Sequence, residues 1–177
     1  RLVETFVRLA AVDSPSRGEA PLARLVADEL TRLGWSAHID TSGPSTGNVI
    51  ASLAGDARRD ALLFTSHLDV VMPCLGVRPR VTDGVITSAG DTVLGADAKA
   101  SAAVMLEVAQ QLSAEPPTAH PPVELVFTWG EEVGHLGAKA LDLGGLQARQ
   151  AWVLDGLVPV GTIVLAAPTY YALSIGI

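Results

Sequence analysis

Three short apolar runs, each ending next to acidic or histidine side chains, constrain most strongly how this chain can fold. The runs cover residues 61–66, 123–129 and 151–155, and polar breaks separate them. Short uninterrupted runs of this kind are typical of buried strands in a largely parallel sheet. Ligands of such sheets bind beyond the carboxyl ends of the strands. We therefore expect an α/β fold in which charged residues from distant parts of the sequence meet in one crevice.

The residues at these ends form a set that suits a hydrolytic metal site. The set consists of His67, Asp69, Asp97, Glu131, Glu132 and Asp155. Asp97 is included because it follows a glycine turn and opens an apolar helical stretch. One histidine together with several carboxylates fits a bound metal better than it fits a protein core.

The two pairs in this set each have an ordinary structural alternative. His67 and Asp69 are two apart on an extended strand, so they point to the same side and Asp69 can support His67 as a ligand. The alternative is a lone buried histidine with a capping aspartate. Glu131 and Glu132 would repel each other in a crevice without a cation, whereas a solvated acidic turn would tolerate both.

The single acids and the other histidines are less specific. Asp97 at a helix start would be explained by capping alone, and Asp155 before a glycine by an ordinary turn. His38 and His120 lie in loop or edge contexts and are expected to be solvated, and His135 simply follows the acidic turn. The joint order of the motifs, each on its own element boundary, is what favours the metal site.

Hydrophobic periodicity predicts the remaining elements. The predicted helices cover residues 2–12, 22–33 and 99–112, with a short helix after the acidic turn. The predicted strands cover residues 35–39, 48–53, 61–66, 123–129, 151–155 and 161–166. Residues 77–88 are predicted to form a hairpin that turns at Asp83-Gly84.

The composition narrows the classes of function. A formal net charge of −7, with 12 basic and 19 acidic residues, argues against a nucleic-acid partner. The longest uncharged stretch, residues 156–177, is broken by proline and glycine and suits core strands better than a membrane span. A single cysteine, Cys74, and the lack of a secretory leader lead us to expect a cytoplasmic protein.

The joint order of the motifs resembles the dinuclear-zinc exopeptidase family that includes peptidase T and the glutamate-releasing carboxypeptidases. The resemblance rests on residues 65–71, 94–100 and 129–138, which contain the His-x-Asp, Gly-x-Asp-x-Lys and Glu-Glu motifs. Residues within 155–164 look closest to the peptidase T branch, and residues 12–16 match the family's opening segment. The resemblance covers nearly the whole chain, and its motifs are jointly specific.

The resemblance implies a site with two zinc ions. His67, Asp97 and Asp155 would bind one ion. Asp97 would bridge to the second, which Glu132 would also hold. Cobalt or manganese would be accepted by the same ligands. The family's second ion takes a further histidine from beyond an inserted lid or dimerisation domain, which we expect to lie after Ile177.

The resemblance also implies roles for the remaining residues of the set. Glu131 would be the general base, and Asp69 would be the partner of His67. The position after the bridging aspartate, often a second aspartate in the family, is Ala98 here. The peptide bond before this position is commonly cis in the family.

For the fold, the resemblance implies a three-layer α/β sandwich around a mostly parallel central sheet. The chain starts without Met in helical periodicity and stops inside a run that reads as a strand, so we expect a piece of a longer protein. Residues 1–168 would be the proximal part of the catalytic domain, and residues 169–177 would begin the lid or dimerisation domain. The intact protein could form a homodimer through that domain.

We therefore predict an exopeptidase similar to peptidase T, which hydrolyses short peptides with a metal-activated water and Glu131 as base. This chain alone is expected to be inactive. One alternative is an amidohydrolase acting on acyl-amino acids, and another is a metal-binding or interaction fragment without turnover. Glu131 argues against the latter, since a site that only binds has no need of a base. A non-metal α/β hydrolase is disfavoured because no Gly-x-Ser-x-Gly motif stands between a predicted strand and a predicted helix. The match at residues 43–47 lies in the turn between two predicted strands.

Overall fold

A five-stranded sheet with helices packed on it organises the chain. The computed structural model describes residues 1–156 and 159–166. The helices are α1 (Leu2–Ala10), α2 (Ala20–Arg32), α3 (Ala96–Ser113) and α4 (Leu136–Ala140), with short 3-10 helices at Pro117–Ala119 and Leu143–Gly145. The strands are β1 (Ser36–Ile39), β2 (Val49–Leu53), β3 (Leu62–His67), β4 (Pro79–Thr82), β5 (Val85–Ser88), β6 (Val123–Thr128) and β7 (Gln150–Val153). Helices and strands alternate along much of the chain, as expected for an α/β fold.

The strand order brings three carboxyl ends to one edge of the sheet. Neighbouring strands follow the order β1-β2-β6-β3-β7, and β4 pairs with β5 in a separate hairpin. β3 is parallel to both β6 and β7, whereas β2 is antiparallel to β1 and β6. Of these five strands, β2 alone runs against the common direction, which confirms the mostly parallel sheet. The ends of β3, β6 and β7 therefore lie side by side.

Strand β6 shows how both faces of the sheet are covered. Its six residues are all buried, because successive side chains point to opposite faces and each face has a layer against it. Val123, Leu125 and Phe127 pack with residues of α1, α2 and α3 in the larger core. Val126 points the other way and packs with Leu146, in the segment after α4. The two covered faces give the predicted three-layer arrangement.

The predicted strand over residues 161–166 is wrong. A turn lies at positions 160 and 161, and the described residues 159–166 take part in no strand pairing. The side chain of Leu165 is 92% exposed, so it packs against no neighbouring strand. A β-branched run forms a strand when it finds a sheet surface to pack on, and here the described residues offer none.

Other predictions had mixed outcomes. The hairpin is confirmed: Asp83 and Gly84 form its turn, with positive φ of 51° and 78°. His120 is buried rather than solvated, and its Nδ1 donates to the carbonyl of Pro121 at 2.7 Å. The predicted boundary between residues 168 and 169 lies outside the described residues. Within those described, no helix combines the length and apolar character needed to cross a membrane.

Candidate metal centre

Four chain segments bring the predicted site residues to the carboxyl edge of the sheet. His67 ends β3, and Asp97 lies in the first turn of α3. Glu131 and Glu132 follow β6, and Asp155 follows β7. Because β3 pairs in parallel with both β6 and β7, the segments that follow these three strands leave the sheet as neighbours.

His67 is the buried centre of this group, with 2% of its side chain exposed. Its Nδ1 donates to the Asp69 carbonyl oxygen at 3.0 Å, and a carboxylate oxygen of Asp69 lies 3.4 Å away. Its Nε2 faces Asp97 Oδ1 at 3.0 Å and Glu131 Oε2 at 3.9 Å. Burial opposes protonation of the imidazole, but the surrounding carboxylates, Asp69 foremost, outweigh burial and raise the pKa of His67 to about 9. Nε2 therefore points into a concentration of negative charge, where a cation is favoured.

Asp69 connects the histidine to the acidic turn, residues 130–135, which carries the two glutamates. It is fully buried, and its oxygens accept hydrogen bonds from the backbone amides of Glu131 and Glu132 at 2.9 and 3.1 Å. Ser16 Oγ donates a further hydrogen bond at 2.7 Å. Burial would raise the pKa of this carboxyl, but these hydrogen bonds and the one with His67 lower it. Asp69 thus stays an anion that holds both the backbone of Glu131 and Glu132 and the side chain of His67.

Asp97 reaches the group through an irregular first turn of α3. Gly95 precedes it with a φ of 73°, in the left-handed region that favours glycine. Asp97 and Ala98 both depart from helical backbone angles, and the peptide bond between them is cis. The carboxylate of Asp97, 57% exposed, contacts His67 rather than a backbone amide of the helix. Ordinary helix capping therefore does not account for Asp97.

His67, Asp97 and Glu132 together form a group that can hold a metal ion. Each offers one ligand atom, and the three atoms lie within 4.8 Å of one another. Burial raises the pKa of Glu132, and neighbouring carboxylates raise it further against the opposing effect of His67. Acids crowded in this way are stabilised by a cation. An imidazole and two carboxylates are also donors that zinc and similar divalent metals accept, so the residues fit a metal.

Glu131 lies beside this group without belonging to it. One of its carboxylate oxygens is 3.9 Å from His67 Nε2, and the other is 3.0 Å from His135 Nε2. Its side chain is 23% exposed, so water can reach it. A carboxylate next to a metal-binding group and open to water is suitably placed to accept a proton.

Asp155 is less closely connected to the group than the other predicted ligands. The amide of Leu154 donates to the Thr65 carbonyl at 2.8 Å, which keeps this segment beside β3. Asp155 Oδ1 accepts a hydrogen bond from the next residue, Gly156, at 2.7 Å. Its charge contributes to the raised pKa of His67. Asp155 is nevertheless not one of the three residues within 4.8 Å.

Three residues at the site fell outside the predicted set. Ser16 donates to Asp69 across 53 positions of sequence, and Glu19 accepts from a backbone amide of the acidic turn across 111 positions. Neither separation leaves a local signal in the sequence. His135 did have one, because it follows Glu131 by four residues, a spacing that brings side chains together in a helical turn.

Comparison with known proteins identifies peptidases. The chain is 39% identical over 173 residues to the uncharacterized protein YqjE of Bacillus subtilis (strain 168), covering 96% of this chain and 46% of that protein. It is 31% identical over 205 residues to peptidase T of Desulfitobacterium hafniense (strain Y51), covering 92% of this chain and 49% of that protein. The crystal structure of a tripeptidase from Staphylococcus aureus matches with a TM-score of 0.82 at 33% identity, covering 89% of this chain and 43% of that chain. The chain thus spans about half the length of the curated relatives it matches.

The family assignment rests on the middle of the chain. The sequence profile described as Peptidase family M28 matches residues 48–149. This segment contains His67, Asp97 and both glutamates of the acidic turn, whereas Asp155 follows it. The similarity to peptidase T confirms the resemblance on which the site was predicted. With more than half of its residues inside the matched segment, the chain belongs to peptidase family M28.

Proposed function

We propose that the protein containing this chain is a metal-dependent exopeptidase that hydrolyses short peptides with Glu131 as general base. The observation that carries the proposal is the place of Glu131, 3.9 Å from His67 Nε2 and next to three potential ligands. Membership of a peptidase family, and similarity to a tripeptidase and to peptidase T, support peptides as substrates.

The proposed metal ligands form two overlapping sets. His67, Asp97 and Asp155 would hold one ion, and Asp97 and Glu132 would contribute to a second. An imidazole with carboxylate oxygens suits zinc, and cobalt or manganese would also be accepted. Bound there, the ions would supply Lewis-acid polarisation of the peptide carbonyl and make water more acidic.

Residues of the chain would carry the proton transfers and keep the ligands oriented. Glu131 would take a proton from the attacking water and deliver it to the leaving amine. Asp69, with its carbonyl oxygen on Nδ1 of His67, would keep Nε2 directed at the ligand group. His135, 3.0 Å from Glu131 Oε1, would restrict rotation of the base.

The test uses Glu131→Gln in the complete protein that contains this chain. A tripeptide with free termini would be compared with the same tripeptide blocked at both ends. We expect the variant to keep its bound metal and to lose about 10²–10⁴-fold in kcat, because a positioned base contributes that much. Glu115→Gln, at an exposed glutamate in the loop after α3, is the matched control and should leave kcat unchanged.

Three results would overturn parts of the proposal. Near-normal turnover of Glu131→Gln with metal retained would exclude this residue as the base. Equal cleavage of the free and the doubly blocked tripeptide would exclude an exopeptidase. Faster hydrolysis of acyl-amino acids than of tripeptides would favour an amidohydrolase instead.

A further inference from the structure

Three successive backbone amides in the turn after β6 donate to two carboxylates from distant segments. The amide of Gly130 donates to Glu19 Oε1 at 2.9 Å, and those of Glu131 and Glu132 donate to Asp69 at 2.9 and 3.1 Å. The turn begins beyond the last residue of β6, so the strand ladder does not fix these amides. The two carboxylates therefore hold the backbone from which the proposed base and one proposed ligand project.

Glu19 does not have the role that is usual at its position. It occupies the N-cap of α2, yet its side chain makes no capping hydrogen bond to that helix. Oε1 instead accepts from the amides of Arg17 and Gly130, both at 2.9 Å. The residue is fully buried, and Oε2 has no hydrogen-bond partner in the described part of the chain. A buried acid with an unpaired oxygen lowers stability, so what Glu19 contributes here is the pair of hydrogen bonds from the amides of Arg17 and Gly130.

Gly130 is the residue through which Glu19 reaches the site. Its φ of +59° is in the left-handed region, and a side chain added there would meet Leu136. At this residue the chain turns from β6 into the acidic turn, which the amide of His135 closes by donating to the Glu131 carbonyl at 2.9 Å. Without the hydrogen bond from the Gly130 amide to Glu19, the backbone at Gly130 would be less restrained, and both glutamates could shift.

We propose that Glu19 is a positioning residue of the candidate metal centre, which holds Gly130 so that Glu131 and Glu132 keep their places relative to His67. The effect of this positioning on metal binding and turnover rests on the proposed metal-dependent function. The positioning itself is a property of the chain without metal or substrate. Because Glu19 acts through the backbone, it is not itself a catalytic residue.

Three substitutions separate the hydrogen-bonding role from burial and charge. Glu19→Gln keeps Oε1 as an acceptor, because one oxygen accepts both hydrogen bonds. Glu19→Asp keeps the charge but shortens the side chain, and Glu19→Leu removes both acceptors. Glu124 is the matched control, since it is also buried and accepts from the amides of Gln147 and Ala148, on the sheet face opposite α1, α2 and α3.

Two properties are measured on the complete protein that contains this chain. The first is the hydrogen exchange rate of amides 130–132. The second is the affinity for cobalt(II), from a titration monitored by calorimetry and visible absorption. We expect Glu19→Asp and Glu19→Leu to exchange faster at these amides and to bind cobalt(II) about 10- to 100-fold more weakly, as for other outer-shell partners of metal ligands. Glu19→Gln should stay close to the unsubstituted chain in both. Glu124→Leu should lower the unfolding midpoint without changing either readout.

Unchanged exchange of amides 130–132 in both Glu19→Asp and Glu19→Leu would overturn the proposal. An equal loss of cobalt(II) affinity in Glu124→Leu would also overturn it, because the loss would then reflect general destabilisation. If Glu19→Leu does not fold, the contrast between Glu19→Asp and Glu19→Gln decides in the same way. Failure of the unsubstituted complete protein to bind cobalt(II), with exchange still accelerated in the variants, would reject the metal centre and support the positioning role.

Discussion

In the described part of the chain, the two sides of the candidate metal centre differ in how many buried contacts and hydrogen bonds hold their residues in place. On the side formed by β3 and β6, His67 is buried and contacted at both ring nitrogens, and Asp69 fixes the acidic turn. On the side formed by β7, every strand residue is exposed, and Asp155 has a hydrogen bond from its neighbour Gly156. β7 also lies at an edge of the described sheet.

Among the proposed ligands, this difference separates those that are held in place before a cation binds from one that must move into place. Backbone amides and buried side chains hold His67 and Glu132 near their places before any cation arrives, so binding costs little ordering there. Within residues 1–156 and 159–166, the side chain of Asp155 has a hydrogen bond from Gly156 to oppose its movement. Metal binding should therefore depend most on the β3–β6 side, and substitutions on the two sides should differ in their effects on both affinity and stability.

The largest effect is expected for His67→Ala. The substitution removes a proposed ligand atom and leaves several carboxylates crowded without their central imidazole. We expect zinc affinity of the chain to fall by more than about 100-fold, beyond the range seen when only an outer-shell partner is lost. Calorimetric titration with zinc would measure it. A decrease smaller than that of Asp155→Ala would show that metal binding does not depend most on the β3–β6 side.

A smaller effect on affinity, combined with a loss of stability, is expected for Asp69→Asn. The amide group would turn a donor toward a backbone N–H that now donates to Asp69, leaving buried groups unpaired. We expect a loss of about 1–3 kcal/mol in the free energy of unfolding and a zinc affinity about 10- to 100-fold lower. Urea unfolding and zinc titration would check both. Loss of affinity at unchanged stability would show that Asp69 acts on the histidine and not on the turn.

A smaller effect on both affinity and stability is expected for Asp155→Asn, on the side formed by β7. Its carboxylate is exposed and its hydrogen bond from Gly156 is local, so we expect the free energy of unfolding to change by no more than about 0.5 kcal/mol. Zinc affinity should fall by less than in His67→Ala. A large loss of stability without metal would show that Asp155 is a structural turn residue, the alternative considered from the sequence.

The sequence predicts those parts of the molecule that local patterns control. Uninterrupted apolar runs predict β3 and β6, and the residues just beyond them predict where His67 and the two glutamates lie. The strand predicted over residues 161–166 is wrong because strand formation depends on a neighbouring strand, which periodicity does not report. The contacts of Ser16 and Glu19 could not be predicted for the same reason, since partners 53 and 111 positions away are specified by the packed fold.

Two acids outside the ligand set, Glu19 and Asp40, differ in how far hydrogen bonds offset their burial. Burial opposes ionisation of Asp40, but hydrogen bonds from Ser42 and Asn48 outweigh it and lower the pKa of Asp40. For Glu19, burial outweighs its hydrogen bonds and raises the pKa, and the charge of Asp69 adds to the rise. The two acids should therefore change the pH dependence of stability in opposite directions.

The smallest expected effects follow from these two signs. Asp40 contributes stability above its unfolded pKa, near 3.9, which is lost as pH falls through its lower folded pKa. Glu19 contributes stability below its unfolded pKa, which is lost as pH rises through its higher folded pKa. Relative to the unsubstituted chain, Glu19→Gln should gain stability as pH rises from 4 to 7, whereas the deficit of Asp40→Asn should shrink as pH falls below about 4. Urea midpoints across this range would measure both. A Glu19→Gln difference that is independent of pH would show that this acid is ionised as readily in the folded chain as in the unfolded one.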